Sequence, residues 1–338
     1  MDPYILVTSK LMNNSKTQKK IAVSGLGRHA VKNILPAIKK SNSLLLAAVN
    51  TRNTDVLDNV SREYECEGFL DFEEMIDIDD IDIIYLSTPP GVHYQQAKKS
   101  LLSDKHVWIE KPLTTNLENT IELIEISVSR GLSLFECLMY QFHPQFNQIN
   151  QYIRNDSFGK LINITSIFSL PFMPESGFRF NRELGGSCLY DVGIYPISLI
   201  LTLFEDEQID ILNANISFDD SDHQIDSKGN TRLLINGETN CNLYWRYNSS
   251  YRNDIEIWGE HSSLNTKKIF SKDEEYVPIL SISDINGNSE EIMIRSANHF
   301  HEMLETYSNK MESGDFLDHH RQQIMRLAKF MDDIKHHK

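Results

Sequence analysis

The sequence predicts an α/β protein: a doubly wound parallel sheet followed by an α+β domain with an open, mostly antiparallel sheet. A glycine-rich turn joins an apolar run to a helical pattern near residue 25, and apolar strands then alternate with helical segments to about residue 139. From residue 209 to residue 295 the pattern becomes successive strands with polar turns. We therefore expect an N-terminal extension over residues 1–19, a parallel-sheet domain over 20–139 and an α+β domain over 140–338.

The glycine turn reads Gly25-Leu26-Gly27-Arg28-His29-Ala30 and stands between an apolar run and a helix. This order is typical of a dinucleotide-binding βαβ unit of the Rossmann type. Gly25 permits the turn, Gly27 lets backbone N–H groups approach a pyrophosphate, and Ala30 lets helix and strand pack closely. The helix N-terminus adds N–H groups and a partial positive charge. We expect five turn residues to bind the cofactor: Gly25, Leu26, Gly27, Arg28 and His29.

The end of the next strand indicates which nicotinamide cofactor is bound. It reads Asn50-Thr51-Arg52-Asn53, with no carboxylate where NAD-binding units hold the ribose diol. The Thr51 hydroxyl and the Arg52 cation suit a 2′-phosphate, and a charge-assisted contact from arginine is worth about 1.5–3 kcal/mol, or roughly 10- to 100-fold in affinity. We expect NADP(H) rather than NAD(H); the alternative is that Arg52 merely lies on the surface.

Hydrophobic periodicity predicts the other elements. In the first domain, strands are predicted over 43–51, 69–70, 83–88 and 106–110, helices over 54–65, 93–103 and 116–130, and an acidic stretch over 71–80. In the second domain, helices are predicted over 144–154, 189–203, 298–311 and 317–334, a strand over 161–170, an irregular loop through 180, and a long hairpin loop over 218–230.

Composition excludes several classes of protein. The formal charge of −15 argues against nucleic acid as a partner, because phosphate-backbone binding needs a basic face. No run approaches the ~20 apolar residues that span a membrane, and residues 1–19 read as a loose extension rather than a signal peptide. The four cysteines form no CxxC pair, so we expect reduced thiols in a cytoplasmic protein and no metal site.

Three further segments carry polar residues where a ligand would meet the parallel sheet. Thr88-Pro-Pro-Gly-Val-His93 and Glu110-Lys-Pro112 stand at strand ends, and Gly185 to Pro196 opens a helix in the second domain. Within that helix Asp191 and Tyr195 are four residues apart and share one face.

In this order, the segments GLGRHA, STPPGVH, EKP and GGSCLYDVGIY resemble the glucose–fructose oxidoreductase/inositol dehydrogenase (Gfo/Idh/MocA) family, over about residues 20–335. The resemblance implies a Rossmann domain and an open-faced second domain with the active site between them. It places the family's EKP lysine at Lys111 and its helix aspartate at Asp191. Many members carry histidine where this chain has Tyr195, which points to a subset that includes sugar-nucleotide 3-ketoreductases, glucose–fructose oxidoreductase, aldose dehydrogenases and dihydrodiol dehydrogenases. The segments EKPLTT, YQFHPQ and DVGIYPIS are most similar to C-3 ketoreductases of dTDP-linked deoxysugars.

Reduction of a ketone requires a proton donor and a positively charged group near the carbonyl, and tyrosine and lysine can fill these roles. Hydride transfer places negative charge on the carbonyl oxygen, which then needs a proton and an electrostatic partner. Tyr195 can supply the proton, and we expect the Lys111 ammonium to favour the phenolate and to lower the pKa of Tyr195. The structural alternatives are a packing role for Tyr195 and, for Lys111, a salt bridge to Glu110 or another surface acid.

The complete set of expected site residues has three parts. The catalytic residues are Lys111, Asp191 and Tyr195; besides the turn residues, the cofactor contacts are Thr51, Arg52, Ser87, Thr88, Pro89, His93, Glu110 and Lys111; the substrate contacts are His143, Arg179, Asp191 and Tyr195. His93 has the alternative of capping or packing beneath the nicotinamide loop, and His143 that of fixing a turn.

We therefore expect an NADP(H)-dependent sugar oxidoreductase that reduces the C-3 ketone of a nucleotide-linked (dTDP) deoxysugar. The alternatives are an NADP-dependent aldose 1-dehydrogenase for xylose or glucose, a dihydrodiol dehydrogenase-like enzyme, or a non-catalytic NADP-binding regulator. Alternating apolar positions such as Ile255 and Ile257, on a sheet with helices for only one face, also predict a homodimer or homotetramer packed through that sheet.

Overall fold

The computed structural model describes residues 18–172, 177–218 and 225–337, so the predicted extension lies almost wholly outside the described residues. In those ranges, no helix is both long and apolar enough to cross a membrane.

The first sheet has six strands, and every neighbouring pair is parallel. They are β1 (Lys19–Ser24), β2 (Leu44–Asn50), β3 (Glu67–Phe69), β4 (Ile83–Leu86), β5 (His106–Glu110) and β6 (Leu134–Cys137), in the spatial order β3-β2-β1-β4-β5-β6. All residues of β4 and β6 are buried, as expected for a parallel sheet that helices cover on both faces. The predicted fold class is confirmed for this half, although the sequence pattern did not indicate β6.

Helices connect these strands, and side-chain caps begin several of them. A π-helical turn (Ala30–Ile34) continues into α1 (Leu35–Lys39); the others are α2 (Thr54–Tyr64), α3 (Phe72–Ile76), α4 (Pro90–Leu102) and α5 (Leu117–Arg130). The side chains of Asn53 and Asn116 accept hydrogen bonds from the first turns of α2 and α5. The stretch over 71–80 is not merely an acidic connection, because Asp71 caps α3, and Phe72 and Met75 bury one face of that helix.

The second sheet has eight strands, antiparallel except for one parallel pair, β7 with β10. They are β7 (Leu161–Ser169), β8 (Ile209–Phe218), β9 (Asp226–Ile235), β10 (Thr239–Arg246), β11 (Arg252–Gly259), β12 (Ser262–Lys267), β13 (Ile279–Asp284) and β14 (Ser289–Met293), in the spatial order β14-β13-β12-β11-β7-β10-β9-β8. The predicted hairpin loop over 218–230 is too long, since β9 already pairs with β8 at Asp226. Residues 219–224 of that loop lie outside the described residues.

Four further helices belong to this half of the chain. They are α6 (Pro144–Arg154), a π-helical turn (Leu189–Gly193) that continues into α7 (Ile194–Leu203), α8 (His299–Lys310) and α9 (Gly314–His336), with short 3₁₀ turns at Met139–Phe142 and Phe178–Phe180. α7 packs on β7 and β10. Ile255 and Ile257 are fully buried in the core, so the two residues cited for an exposed apolar face do not belong to it.

The last two helices return to the first sheet beside β6. The Tyr307 hydroxyl on α8 donates to the Glu136 carbonyl oxygen at 2.9 Å, and the Glu136 N–H donates to His320 Nε2 on α9 at 3.1 Å. Around this point the Phe135 ring stacks on that of Tyr307, and the Trp108 ring meets Tyr307 edge to face. The C-terminal helices therefore hold the edge of the first sheet in a fixed position relative to the second, with the carboxyl ends of β1, β4 and β5 facing a shared cleft.

Candidate active site

A cleft of about 480 Å³ lies where the two halves of the chain meet. Residues that follow the strands of the first sheet line one wall: His29, Ser87, Thr88, Glu110 and Lys111. The second half of the chain supplies the other wall, which includes Phe168, Arg179, Asp191, Tyr195, Tyr251, Lys268 and Lys272. Eight residues predicted from sequence thus meet in one place: His29, Ser87, Thr88, Glu110, Lys111, Arg179, Asp191 and Tyr195.

The buried carboxylate of Asp191 is the centre of the hydrogen-bond network in this cleft. Lys111 Nζ donates to Asp191 Oδ1 at 2.9 Å and to its carbonyl oxygen at 2.6 Å, and Arg179 Nε donates to Oδ2 at 2.6 Å. The Tyr247 hydroxyl lies 3.1 Å from Oδ2. Burial alone would raise the pKa of Asp191, but the Lys111 and Arg179 charges outweigh it and hold that pKa well below its usual range.

Local backbone structure brings these groups together. Lys111 is the first residue after β5, and Asp191 lies in the π-helical turn that precedes α7. Such turns are rare and recur at functional sites, because they widen the helix by one residue and shift its side chains. Tyr195, on the first turn of α7, lines the same cleft.

Tyr195 stays protonated. Its hydroxyl lies 3.8 Å from Met139 Sδ, and Lys111 Nζ sits 4.8 Å from the centroid of the Tyr195 ring rather than at the hydroxyl. Burial, followed by the negative charges of Glu110 and Asp191, raises the pKa of Tyr195 well above its ordinary value. The expectation that Lys111 lowers this pKa is therefore wrong: the ammonium is bound to Asp191, and burial disfavours the phenolate.

Glu110 bonds to His29 and Tyr85 and is not the partner of Lys111. Its Oε1 accepts a hydrogen bond from the Tyr85 hydroxyl at 2.5 Å and lies 2.8 Å from His29 Nε2. Burial would raise the pKa of Glu110, but attraction to His29 and the hydrogen bonds from His29 and Tyr85 lower it on balance. The glycine turn and β5 are thereby tied together through one carboxylate.

The glycine turn fits a dinucleotide. Gly25 has a φ of +92°, and an added Cβ would stand 2.6 Å from the backbone of Ser87 and Thr88, so the turn packs directly on the loop after β4. At Gly27 nothing lies within 4 Å of an added Cβ, which leaves the open space that a pyrophosphate needs at this helix start. The Gly25 N–H donates to the Asn50 carbonyl oxygen at 2.9 Å, which places Thr51 and the exposed Arg52 beside the turn.

Two predicted histidines and Pro89 do not line the cleft. His93 is fully buried, with its ring nitrogens 2.9 Å from the Pro112 carbonyl oxygen and 2.7 Å from that of Thr88, so it links the loops after β4 and β5. His143 Nδ1 accepts from the Gln145 N–H at 3.0 Å and caps α6. Pro89 occupies the N-cap position of α4 in an extended conformation. We find no group of His, Cys, Asp or Glu with metal-binding geometry in the described ranges.

Sequence reasoning missed Glu136, Tyr247, Lys268 and Lys272. Glu136 is buried behind Lys111, and its Oε1 accepts the Leu113 N–H at 2.7 Å, which fixes the chain just after the EKP segment. The available sequence signal was a carboxylate within the apolar run of β6. Tyr247 follows β10 and continues the alternation of the buried residues Leu243 and Trp245, which indicated that its side chain faces the interior. The two lysines follow β12, and polar residues are common in turns, so they gave no signal.

Comparison with known proteins gives matches over most of the chain. A family model described as "Oxidoreductase family, NAD-binding Rossmann fold" matches residues 19–136, and the "GFO/IDH/MocA C-terminal domain" matches residues 146–265. A dTDP-3,4-didehydro-2,6-dideoxy-alpha-D-glucose 3-reductase of Saccharopolyspora spinosa is 26% identical over 299 residues, which is 88% of this chain and 89% of the relative.

Two further similarities cover all or part of the chain. The crystal structure of a 3-ketoreductase from Actinomadura kijaniata, in complex with NADP and TDP-benzene, superposes with a TM-score of 0.90 at 22% identity and covers 94% of this chain and 97% of that one. A D-xylose 1-dehydrogenase (NADP(+)) of Haloferax volcanii is 27% identical over 181 residues, 53% of this chain and 54% of the relative.

Stability should depend on pH through Glu136. Burial raises the pKa of this carboxyl from 4.5 to about 7, so between those values the folded protein holds a proton that the unfolded chain releases. The protonated carboxyl contributes its full stabilisation at pH values below the pKa of Glu136 in the unfolded chain. That stabilisation is lost as the pH rises through the pKa in the folded protein, which lowers the free energy of unfolding by up to about 3 kcal/mol. Glu136→Gln keeps an acceptor for Leu113 without titrating, so its Tm should rise relative to wild type between about pH 5 and about pH 8.

The matched control is Glu125→Gln, which changes an exposed carboxylate on α5. It should follow the wild-type pH dependence of Tm. Parallel Tm curves for wild type and Glu136→Gln would contradict the assignment.

Proposed function

The chain belongs to the Gfo/Idh/MocA oxidoreductase family, and on that premise we propose that it is an NADP(H)-dependent sugar oxidoreductase that reduces the C-3 ketone of a dTDP-linked deoxysugar. The observation that carries the proposal is the buried Asp191 carboxylate with its two cationic partners, Lys111 and Arg179, beside a protonated Tyr195 in the cleft next to the glycine turn. The relatives named as 3-reductases of a dTDP-linked sugar support the substrate class.

The residues of this chain divide the work of the reaction. The nicotinamide, when bound, supplies the hydride. Tyr195 gives its proton to the carbonyl oxygen as negative charge develops there. Asp191 occupies two of the three ammonium hydrogens of Lys111 and leaves one for the substrate oxygen.

The alternatives use the same chemistry on other substrates. An aldose 1-dehydrogenase is favoured by the similarity to the xylose dehydrogenase, but that similarity covers only 53% of the chain. A non-catalytic regulator would not need Lys111, Asp191 and Tyr195 to be assembled. The deciding assay follows NADPH absorbance with a panel of keto-sugar nucleotides and, in reverse, NADP⁺ with free aldoses; oxidation of aldoses alone would overturn the proposal.

Replacing the proton donor should slow catalysis without affecting cofactor binding. Tyr195→Phe keeps the ring and its packing, and general acid catalysis typically contributes 10²- to 10⁴-fold, so kcat should fall by about that factor while the Kd for NADPH changes less than about twofold. Lys111→Ala should also lower kcat, and the double variant should lose much less than the product, because both residues act on one proton transfer.

The control is Tyr140→Phe, which removes a buried hydroxyl that bonds to Ser198. The centroid of the Tyr140 ring lies 6.1 Å from that of the Tyr195 ring. Its kcat should stay within a few fold of wild type. If Tyr195→Phe keeps more than half of the activity, or if it unfolds the protein or abolishes NADPH binding, Tyr195 is not the acid.

Cofactor preference should depend on Arg52. We propose that this exposed cation at the end of β2 binds the 2′-phosphate, so NADPH should bind at least about tenfold more tightly than NADH, and Arg52→Ala should remove most of the difference. Arg62→Ala, on the exposed side of α2, is the charge-matched control and should keep the preference. Equal affinities of wild type for the two cofactors by fluorescence titration would refute this role.

We also propose a homodimer or homotetramer packed through the open face of the second sheet. That face exposes Trp258 and Tyr244, which are 52% and 44% exposed, among polar side chains such as Glu256 and Arg246. Light scattering at micromolar concentration should give two or four chain masses, and Trp258→Arg should shift the mass toward one chain. Leu102→Arg, a change on the exposed side of α4, should not. A monomeric wild type would be incompatible with this assembly.

A further inference from the structure

Among the described residues, two lysines of the cleft form no ion pair with an acidic side chain, although the whole chain carries a net charge of −15. Lys272 Nζ donates to the Ile269 carbonyl oxygen at 2.9 Å, and Lys268 Nζ lies 4.3 Å from the ring centroid of Tyr276. In the part of the chain that the structure describes, neither ammonium has a carboxylate within ion-pair distance, whereas Lys111 and Arg179 share Asp191. Asp273, the carboxylate that follows Lys272 in the lining of this cleft, pairs with Lys32 at 3.4 Å, so Lys268 and Lys272 stay outside the ion pairs of the described residues.

The loop that carries these lysines, residues 268–272, is held in place by hydrogen bonds to one buried residue. Asn253 accepts the Phe270 N–H on Oδ1 at 2.9 Å, donates from Nδ2 to the Ser271 carbonyl oxygen at 3.1 Å, and accepts the Lys268 N–H on its own carbonyl at 2.5 Å. Lys268 itself has a φ of +52°, a left-handed conformation that non-glycine residues keep only where the surroundings impose it, often at ligand sites. Both lysines are thus presented to the cleft by a rigid support.

The same loop is connected to the reaction centre. Phe270, between the two lysines, is fully buried, with its ring centroid 5.5 Å from that of Tyr195 and 5.3 Å from that of Phe168. A group held by Lys268 and Lys272 would consequently be fixed relative to the Tyr195 hydroxyl, through a single layer of packed rings.

We propose that Lys268 and Lys272 bind a diphosphate, and that it is the diphosphate of a nucleotide-linked sugar substrate. The inference rests on the proposed function and extends it. A diphosphate matches two separated ammonium groups in charge, and the hydroxyl-bearing residues Tyr251 and Ser271 line the same wall. Burial lowers the pKa of Lys272 to about 7, and a bound dianion would offset that desolvation.

The position of the loop favours the substrate over the cofactor as the source of the diphosphate. The cofactor's own pyrophosphate has the glycine turn on the first wall, with open space at Gly27. The loop lies on the second wall, packed against Tyr195. A free aldose has no anionic group for this loop, so a functional Lys268–Lys272 pair distinguishes a nucleotide-sugar reductase from an aldose dehydrogenase.

Calorimetric titration of the full chain tests the proposal, with dTDP and NADPH as separate probes. Lys268→Met and Lys272→Met should each raise the Kd for dTDP about tenfold or more, the Kd for NADPH should change less than about twofold, and arginine at either position should restore part of the dTDP affinity. With a dTDP-linked 3-keto sugar, the loss should appear in KM more than in kcat. Lys267→Met removes an exposed lysine at the end of β12 that does not line the cleft, and should leave both affinities unchanged.

Each other outcome has a distinct meaning. Unchanged dTDP affinity in folded Lys268→Met and Lys272→Met variants overturns the site, and weakened NADPH binding with unchanged dTDP binding assigns the loop to the cofactor instead. If wild type reduces dTDP-linked keto sugars while the variants bind dTDP normally, only this inference fails. If wild type neither binds dTDP nor reduces such sugars but oxidises free aldoses, the proposed function fails as well.

Discussion

The buried charge of Asp191 is the constraint on which the site depends. A carboxylate taken out of water is tolerated only with partners of opposite charge and filled hydrogen-bond sites, and removing one such partner typically costs about 3–5 kcal/mol. Here one partner, Lys111, follows a strand of the first sheet, and the other, Arg179, comes from the loop before α7. The ion pair between Lys111 and Asp191 therefore joins the two halves of the chain where cofactor and substrate have to meet.

This constraint also decides the state of Tyr195. Because Lys111 is held by Asp191, its ammonium reaches the face of the Tyr195 ring and not its hydroxyl. The buried phenol keeps its proton, which is the form required for giving a proton to a developing alkoxide. The ion pair between Lys111 and Asp191 therefore leaves Tyr195 in its protonated form.

Sequence patterns predicted much of the fold because they are local. The glycine turn, the apolar strands and the caps at Asn53 and Asn116 depend on residues close in the chain. The sequence pattern did not predict α3 and β6 because both elements are short, and α3 also lies within an acidic stretch. The pKa of Tyr195 was predicted with the wrong sign, since proximity of a charge says nothing of burial or of competing partners. Glu136 and Lys272 owe their properties entirely to tertiary burial, which periodicity does not report.

The charged groups that surround the reacting carbonyl and those proposed to bind the remote part of the substrate lie at different places in the cleft. Around Asp191 both positive charges, those of Lys111 and Arg179, are bound to one carboxylate, so the reacting carbonyl meets a compact array held by ion pairs. The unmatched lysines stand on the loop supported by Asn253, one aromatic layer away from Tyr195. Attraction for a remote anionic group then acts where no bond changes, and it contributes to substrate binding more than to the chemical step. A substrate without the remote anion would bind more weakly even if its sugar ring fitted the site.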